Sequence, residues 1–265
     1  MCNSKEHREK FAQILFETFN VPAIYIVPDA ILSLYQSERT TGLVVDIGST
    51  CTRVVPVVDG KCISNAISRV EIGGDHVTSY LMDRLGGKIS ARDQFELREI
   101  LQDIKEKLCF VACDFAQLSA HAETDNEIDQ YYHLPGGDAI TLGVDRFRAP
   151  EVLFQPDELG LDCPGIQMAV ENSIRLCPGE IQNTLCSNIV LSGGTTLLPG
   201  MADRLHSEVA AFANGMAVQA IAPANAYSTW VGGTFAAAAA DPQGLWLSRQ
   251  EYDESGPSIV HTKWT

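Results

Sequence analysis

Apolar and polar positions alternate with two different periods along this chain. In residues 6–19 the spacing predicts a helix with Phe11, Ile14, Leu15 and Phe19 on one face, ended by Asn20 and Pro22. Ala30 to Tyr35 reads as a second, largely buried helix. From Thr41 the pattern switches. Gly42 to Val45 is a predicted strand, residues 46–50 a turn, and Arg53 to Val58 a returning strand. Asp59-Gly60 gives a further turn, so the segment is a β-meander. Val77, Tyr80, Leu81 and Leu85 mark a helix stopped by Gly86-Gly87. A long helix is predicted from Ser90, with Asp93 in its first turn and Leu97, Ile100, Leu101, Ile104 and Leu108 on its apolar face. Tyr131–Leu134 and Ala139–Leu142 flank Pro135-Gly136-Gly137-Asp138 as a hairpin.

Residues 144–186 carry repeated proline and glycine signals and read as loop-rich with short helices. A strand at Ile189–Leu191 follows, then the loop Ser192-Gly193-Gly194-Thr195, then a helix with Pro199 in its first turn and an end near Asn214-Gly215. Gly232-Gly233 reads as a turn before an alanine-rich helix, Ala236 to Ala240, and a polar tail closes the chain. Alternating strands and helices make the class α/β.

Composition narrows the function. The chain has 265 residues, 45% of them hydrophobic, enough for one large or two smaller cores. Its 34 acids against 19 bases give a net charge of -15, which disfavours nucleic-acid and anionic-membrane partners. No apolar run approaches a bilayer span, and the N-terminus is polar. Eight cysteines without C-x-x-C spacing read as free thiols in a reducing cytoplasm.

Four segments carry candidate chemistry. Gly193 and Gly194 leave the backbone open to a ligand, and Thr195 adds a hydroxyl near a helix start. Asp46-x-Gly48 places a carboxylate at a strand end, where it can hold a hydrated magnesium ion. Gly48, Ser49 and Thr50 are suited to phosphate. Gly73-Gly74 precedes a helix, and Lys105-Glu106 lies on the polar side of the long helix. Each also reads blandly, as a plain turn or a solvated charge pair. Taken together they suggest a nucleotide between two lobes, with Asp46 and Gly48 at the phosphates. Gly193-Gly194 would then face the nucleoside, and Lys105 and Glu106 the base and ribose.

Long collinear stretches resemble the actin family. They include Phe16-Glu17-Thr18-Phe19-Asn20, Leu32-Ser33-Leu34-Tyr35, Arg39-Thr40-Thr41-Gly42 and Asp103-Ile104-Lys105-Glu106-Lys107-Leu108-Cys109. Leu191-Ser192-Gly193-Gly194-Thr195-Thr196 and Gln250-Glu251-Tyr252-Asp253-Glu254-Ser255-Gly256-Pro257 continue the series. Phe147-Arg148-Ala149-Pro150 and Tyr227-Ser228-Thr229-Trp230 are more similar to actin-related proteins of the dynactin type. The resemblance implies the ribonuclease H-like fold of actin, Hsp70 and sugar kinases, with mixed sheets, helices on both faces and Mg-ATP or ADP in a cleft. It begins where the family is more than a quarter through, so the first phosphate loop has no counterpart. It divides the chain into 1–72 (part of the first lobe and the start of the second), 73–165 (an inserted small subdomain), 166–228 (second-lobe core) and 229–265 (helices returning to the first lobe).

Departures from that resemblance are equally informative. Asp29 stands where the family has a glutamine that orients the attacking water, and Arg53 where it has a nearby histidine. Leu197 replaces a methionine on the adenine side. In the family's partner groove stand Ala236, Ala239, Asp241, Pro242 and Leu245, with Glu38 and Lys61 beside Tyr35, so little anchoring surface is expected there. The loop tip at Glu158 has an acid in place of a large apolar residue. Three readings stay open: an ATP-binding cytoskeletal protein with impaired hydrolysis, a non-hydrolysing subunit of a dynactin-like complex, and a truncated fragment without function. Expected partners are copies of itself, other actin-family subunits or actin-regulating proteins, in the cytoplasm and on the cytoskeleton.

Overall fold

A computed structural model describes residues 4–122, 127–238 and 244–264. The chain opens with α1 (Lys5–Gln13), capped by the Ser4 hydroxyl, which accepts the His7 amide. The helix then widens into a π turn, Ile14–Thr18, where the Phe19 amide reaches back to the Ile14 carbonyl. The wider turn resets the helical phase. Ala12 and Phe16 are therefore buried, whereas Phe11, Ile14 and Phe19 of the predicted apolar face are exposed. Leu15 is half-buried beside Phe16.

After β1 (Ala23–Ile24) come α2 (Asp29–Gln36), β2 (Gly42–Ile47) and β3 (Thr52–Val58), as the periodicity predicts. Two short strands, β4 (Lys61–Cys62) and β5 (Ser68–Val70), pair with opposite ends of β3. Next are α3 (Gly74–Leu85) and α4 (Gln94–Leu108). Asp93 is the N-cap of α4, accepting the Glu96 amide at 2.9 Å, so the helix starts after it and Ser90 lies outside. A helix unanticipated in the sequence, α5 (Phe115–Ala122), precedes the hairpin β6 (Gln130–His133) and β7 (Ala139–Leu142). The stretch expected to be loop-rich holds α6 (Asp145–Glu151), α7 (Ile166–Arg175) and α8 (Gly179–Cys186).

Following β8 (Ile189–Ser192), a short 3-10 turn spans Gly194–Leu197 and α9 runs over Met201–Phe212. Pro199 is outside α9, because its carbonyl accepts the Val111 amide and Gly200, at φ 83°, is the N-cap. A two-residue strand, β9 (Ala220–Ile221), leads to α10 (Ser228–Ala238). Gly232 and Gly233 are inside α10 and form no turn. Ala239, Ala240, Asp241 and Pro242 lie outside the described residues. The polar C-terminal stretch folds as β10 (Leu247–Ser248), α11 (Arg249–Ser255) and α12 (Val260–Lys263).

The main sheet has the order β4-β3-β2-β8-β9, with β2 parallel to β8 and antiparallel to β3. Strand β2 is covered on both faces, which explains its unbroken apolar run. Leu43, Val45 and Ile47 enter the larger core with Val54 and Leu191. Val44 points the other way and packs with Val55, Val57 and Val190 against Ala30, Ile31 and Leu34 of α2. Fully burying each such aliphatic side chain is worth about 1.5–3 kcal/mol.

A third cluster joins the two ends of the chain. Phe16 stacks on Tyr252 at 4.5 Å between ring centroids, with Ile24, Leu247 and Val260 around them. The polar tail folds because Tyr252 and Val260 anchor it and because Ser248 and Glu251 form a capping box on α11. Donation to Glu251 from Lys263, and then from the Ser248 amide and hydroxyl, pulls its pKa down to about 2. A depressed carboxylate stabilises the fold above its ordinary pKa of about 4.3, and that contribution is lost as pH falls toward the folded value. The terminal cluster is thus expected to loosen between about pH 4.3 and about pH 2. Trp264, whose indole donates to the Leu245 carbonyl, reports on it by fluorescence, and Glu251→Gln should flatten that part of the profile.

Candidate functional site

The period of two that buries the sheet also builds the site. On the face turned to α2, Val44 is followed by Asp46, Val55 is preceded by Arg53, and Val190 is followed by Ser192. Asp46 sits opposite both Arg53 and Ser192 in the strand registers. At this edge the apolar face therefore turns polar on three neighbouring strands. The N-terminus of α2 lies over it and contributes Asp29 and, one turn later, Ser33.

These groups bind one another. Arg53 Nη2 donates to Asp29 Oδ2 at 2.7 Å and to Asp46 Oδ2 at 2.5 Å. Burial opposes the Arg53 charge, but the hydrogen bond it donates to Asp46 and the charges of both acids outweigh it and raise its pKa above the ordinary value. Asp29 Oδ1 accepts the Ala30 amide at 2.9 Å. Behind this cluster the hydroxyls of Ser33, Ser192 and Thr229 form a small network at 3.0–3.5 Å. The sequence reading missed Ser33, Ser192 and Thr229 as site-building residues. Their signal was positional, with Ser33 four residues after Asp29 and Ser192 two after Val190.

A second convergence joins the glycine loops. The Gly74 amide donates to the Gly48 carbonyl at 2.9 Å, and the Asp75 amide to the Ser49 carbonyl at 2.7 Å. Thr195 Oγ1 donates to the same Gly48 carbonyl at 2.9 Å. Lys105 is buried and is not on a polar side of α4: its Nζ donates to the Gly74 carbonyl at 3.1 Å and to Thr78 Oγ1 at 3.0 Å. Desolvation lowers the Lys105 pKa. Gly193 adopts φ 89°, and a Cβ there would lie 2.4 Å from the Ile47 carbonyl and 2.9 Å from Asp46 Oδ1. Asp46, Gly48, Ser49, Gly74, Lys105, Gly193 and Thr195 thus belong to one connected region. Gly194 faces open space, Leu197 is exposed, and Ser49 and Thr50 are at an exposed loop tip. Glu106 is exposed and accepts from Gln102.

The donor set can be compared with that of a magnesium–triphosphate site. Such a site needs a carboxylate free to hold a hydrated cation and amides free to meet phosphate. Here Asp46 is already bonded to a cation, and the amides of Gly48, Gly74 and Asp75 are spent on loop carbonyls. Among the described residues, no group of three or more His, Cys, Asp or Glu could hold a metal ion. These residues do not fit the magnesium end of the ligand. A cavity of about 620 Å³ lies at α10, beside Leu32, Tyr227 and Trp230, and another of about 340 Å³ lies between Phe110, Arg146 and Gly200. Neither is lined by Asp46 or the glycine loops.

A mixed sheet between helices, with glycine loops meeting over a strand-end carboxylate, is consistent with the α/β class shared by actin, Hsp70 and sugar kinases. The sequence model of the actin family, described as Actin, matches residues 1–265, and the chain belongs to that family. Proteins of the family generally bind ATP or ADP with a divalent metal. No helix among the described residues is long and apolar enough to cross a membrane.

Proposed function

We propose that this chain is an actin-like cytoskeletal protein that works by assembling with itself or with other actin-family subunits, and that its ATP hydrolysis is impaired. The observation that supports this is the Arg53 bridge. Hydrolysis needs a group that can orient a water molecule and accept its proton. Arg53 cannot accept a proton. Both oxygens of Asp29 already accept hydrogen bonds, from Ala30 and from Arg53. With both Asp29 oxygens engaged and Arg53 lacking an acceptor, neither position offers a free group for the step. Loss of a positioned base typically costs 10²–10⁴-fold in rate.

In this reading the nucleoside end lies at Gly193, Gly194, Glu106 and Leu197, the last standing in place of a methionine. Its location is the cytoplasm, on the cytoskeleton or in a dynactin-like complex. Phosphate release by the purified chain with ATP is expected to match buffer alone. Asp29→Gln/Arg53→His is expected to raise the rate where the chain binds ATP. Steady turnover by the unsubstituted chain, abolished by Asp46→Ala, would overturn the proposal.

A further inference from the structure

The geometry points to Arg53 as a built-in cation that takes the place of a divalent metal at Asp46. The inference uses the same cluster as the proposed loss of hydrolysis but makes a separate claim, about which cation the carboxylates hold. A single nitrogen, Nη2, is within 2.7 Å of one carboxylate oxygen and 2.5 Å of another, on two different elements. Those two oxygens are therefore no more than about 5 Å apart. Those two nitrogen–oxygen distances are nearer to the oxygen distances of calcium, about 2.3–2.6 Å, than to those of magnesium, about 2.0–2.1 Å. The guanidinium nitrogen stands at the point where a calcium-sized ion would bridge Asp29 and Asp46.

Charge makes the arrangement durable. Two carboxylates face one cation, in a chain of net charge -15. The side chains are 22% exposed for Asp46, 28% for Arg53 and 42% for Asp29, so the cost of lacking a cation falls mainly on Asp46. Arg53 is also covalently fixed and keeps its charge at any ordinary pH. A chelator removes a metal from such a site but cannot remove a side chain.

The chain as it stands is therefore expected to melt at the same temperature in EDTA, magnesium and calcium. It should also give no saturable terbium luminescence that depends on Asp46. Arg53→Ala opens the position. That variant is expected to melt lower in EDTA, recover in millimolar calcium more than in magnesium, and gain a terbium signal that Asp29→Asn removes. Arg53→Gln, which keeps most of the stem without the charge, provides the same test if the alanine variant does not fold. Terbium or calcium binding by the unsubstituted chain that is lost in Asp46→Asn overturns the inference, as does a folded Arg53 variant with no response to calcium. Metal binding without turnover would remove this inference alone, and turnover in EDTA would remove the proposed loss of hydrolysis alone.

Discussion

Truncating Glu151 to alanine is expected to cost about 3–5 kcal/mol, the penalty for leaving a buried charge without its partner. Glu151 and Arg204 are 1% and 6% exposed. Arg204 grips the carboxylate with two nitrogens, at 2.9 and 2.8 Å, and also donates to the Ala112 carbonyl and to Glu208. Its guanidinium is 4.5 Å from the Phe154 ring centre. Burial opposes the Arg204 charge, yet the hydrogen bonds it donates to Glu151 and Glu208 outweigh it and raise its pKa. With the acid gone, the guanidinium stays charged inside the core, held only by the part-exposed Glu208 and the Ala112 carbonyl. Domain stabilities are typically about 5–15 kcal/mol, so this one change takes a large share. Replacing both partners, as Glu151→Leu/Arg204→Met, is expected to be milder, because the one charge left behind, Glu208, is part-exposed and reaches solvent. Urea unfolding of the two single variants and the double variant measures the difference. A loss below about 1 kcal/mol for Glu151→Ala would contradict the account.

The second large effect is expected at Gly232. Helix α10 crosses α2 so closely that a Cβ on Gly232 would lie 1.8 Å from the Leu32 carbonyl oxygen. Gly232→Ala must push the helices apart, at a cost of about 1–3 kcal/mol or more. The same shift stretches the bond between the Ser33 and Thr229 hydroxyls, now 3.0 Å, and so reaches the edge of the Asp46 site. Gly233 is the control. A Cβ there would find only Leu32 Cδ1, at 3.7 Å. Gly233→Ala should be neutral or gain up to about 1 kcal/mol from helix propensity. Thermal melts and hydrogen exchange across α2 and α10 separate the two; equal effects would refute the packing argument.

Gly232 also shows where sequence reading stops. A glycine pair signals a turn or a close approach of two backbones, and only the packing decides between them. The π turn after α1 left no mark in the composition, yet it moved Phe16 inward and Phe11 outward. By contrast, β2, β3, α3 and the β6–β7 hairpin are legible, because α3 carries a helical period, the strands carry short apolar or aromatic runs, and glycine or proline turns bound them. Lys105 was legible in principle, since it falls four residues after Leu101 and three before Leu108, within the buried stripe. The loops that meet around Gly48 were identified from their residue types. That their amides bind one another, and that Arg53 binds both acids, depends on strand register and on the position of α2.

The cluster of Phe16, Tyr252 and Val260 has a consequence for how the molecule is made. His261 and Glu9, joined at 2.8 Å, are 252 positions apart, and Tyr252 reaches Glu17 across 235. Contacts this distant in sequence are slow to form, because closing so long a loop costs entropy before any contact repays it. On the ribosome, α1 emerges long before the segment that covers it. Phe16 therefore stays uncovered until Tyr252 has been made, and α1 is locked in place late.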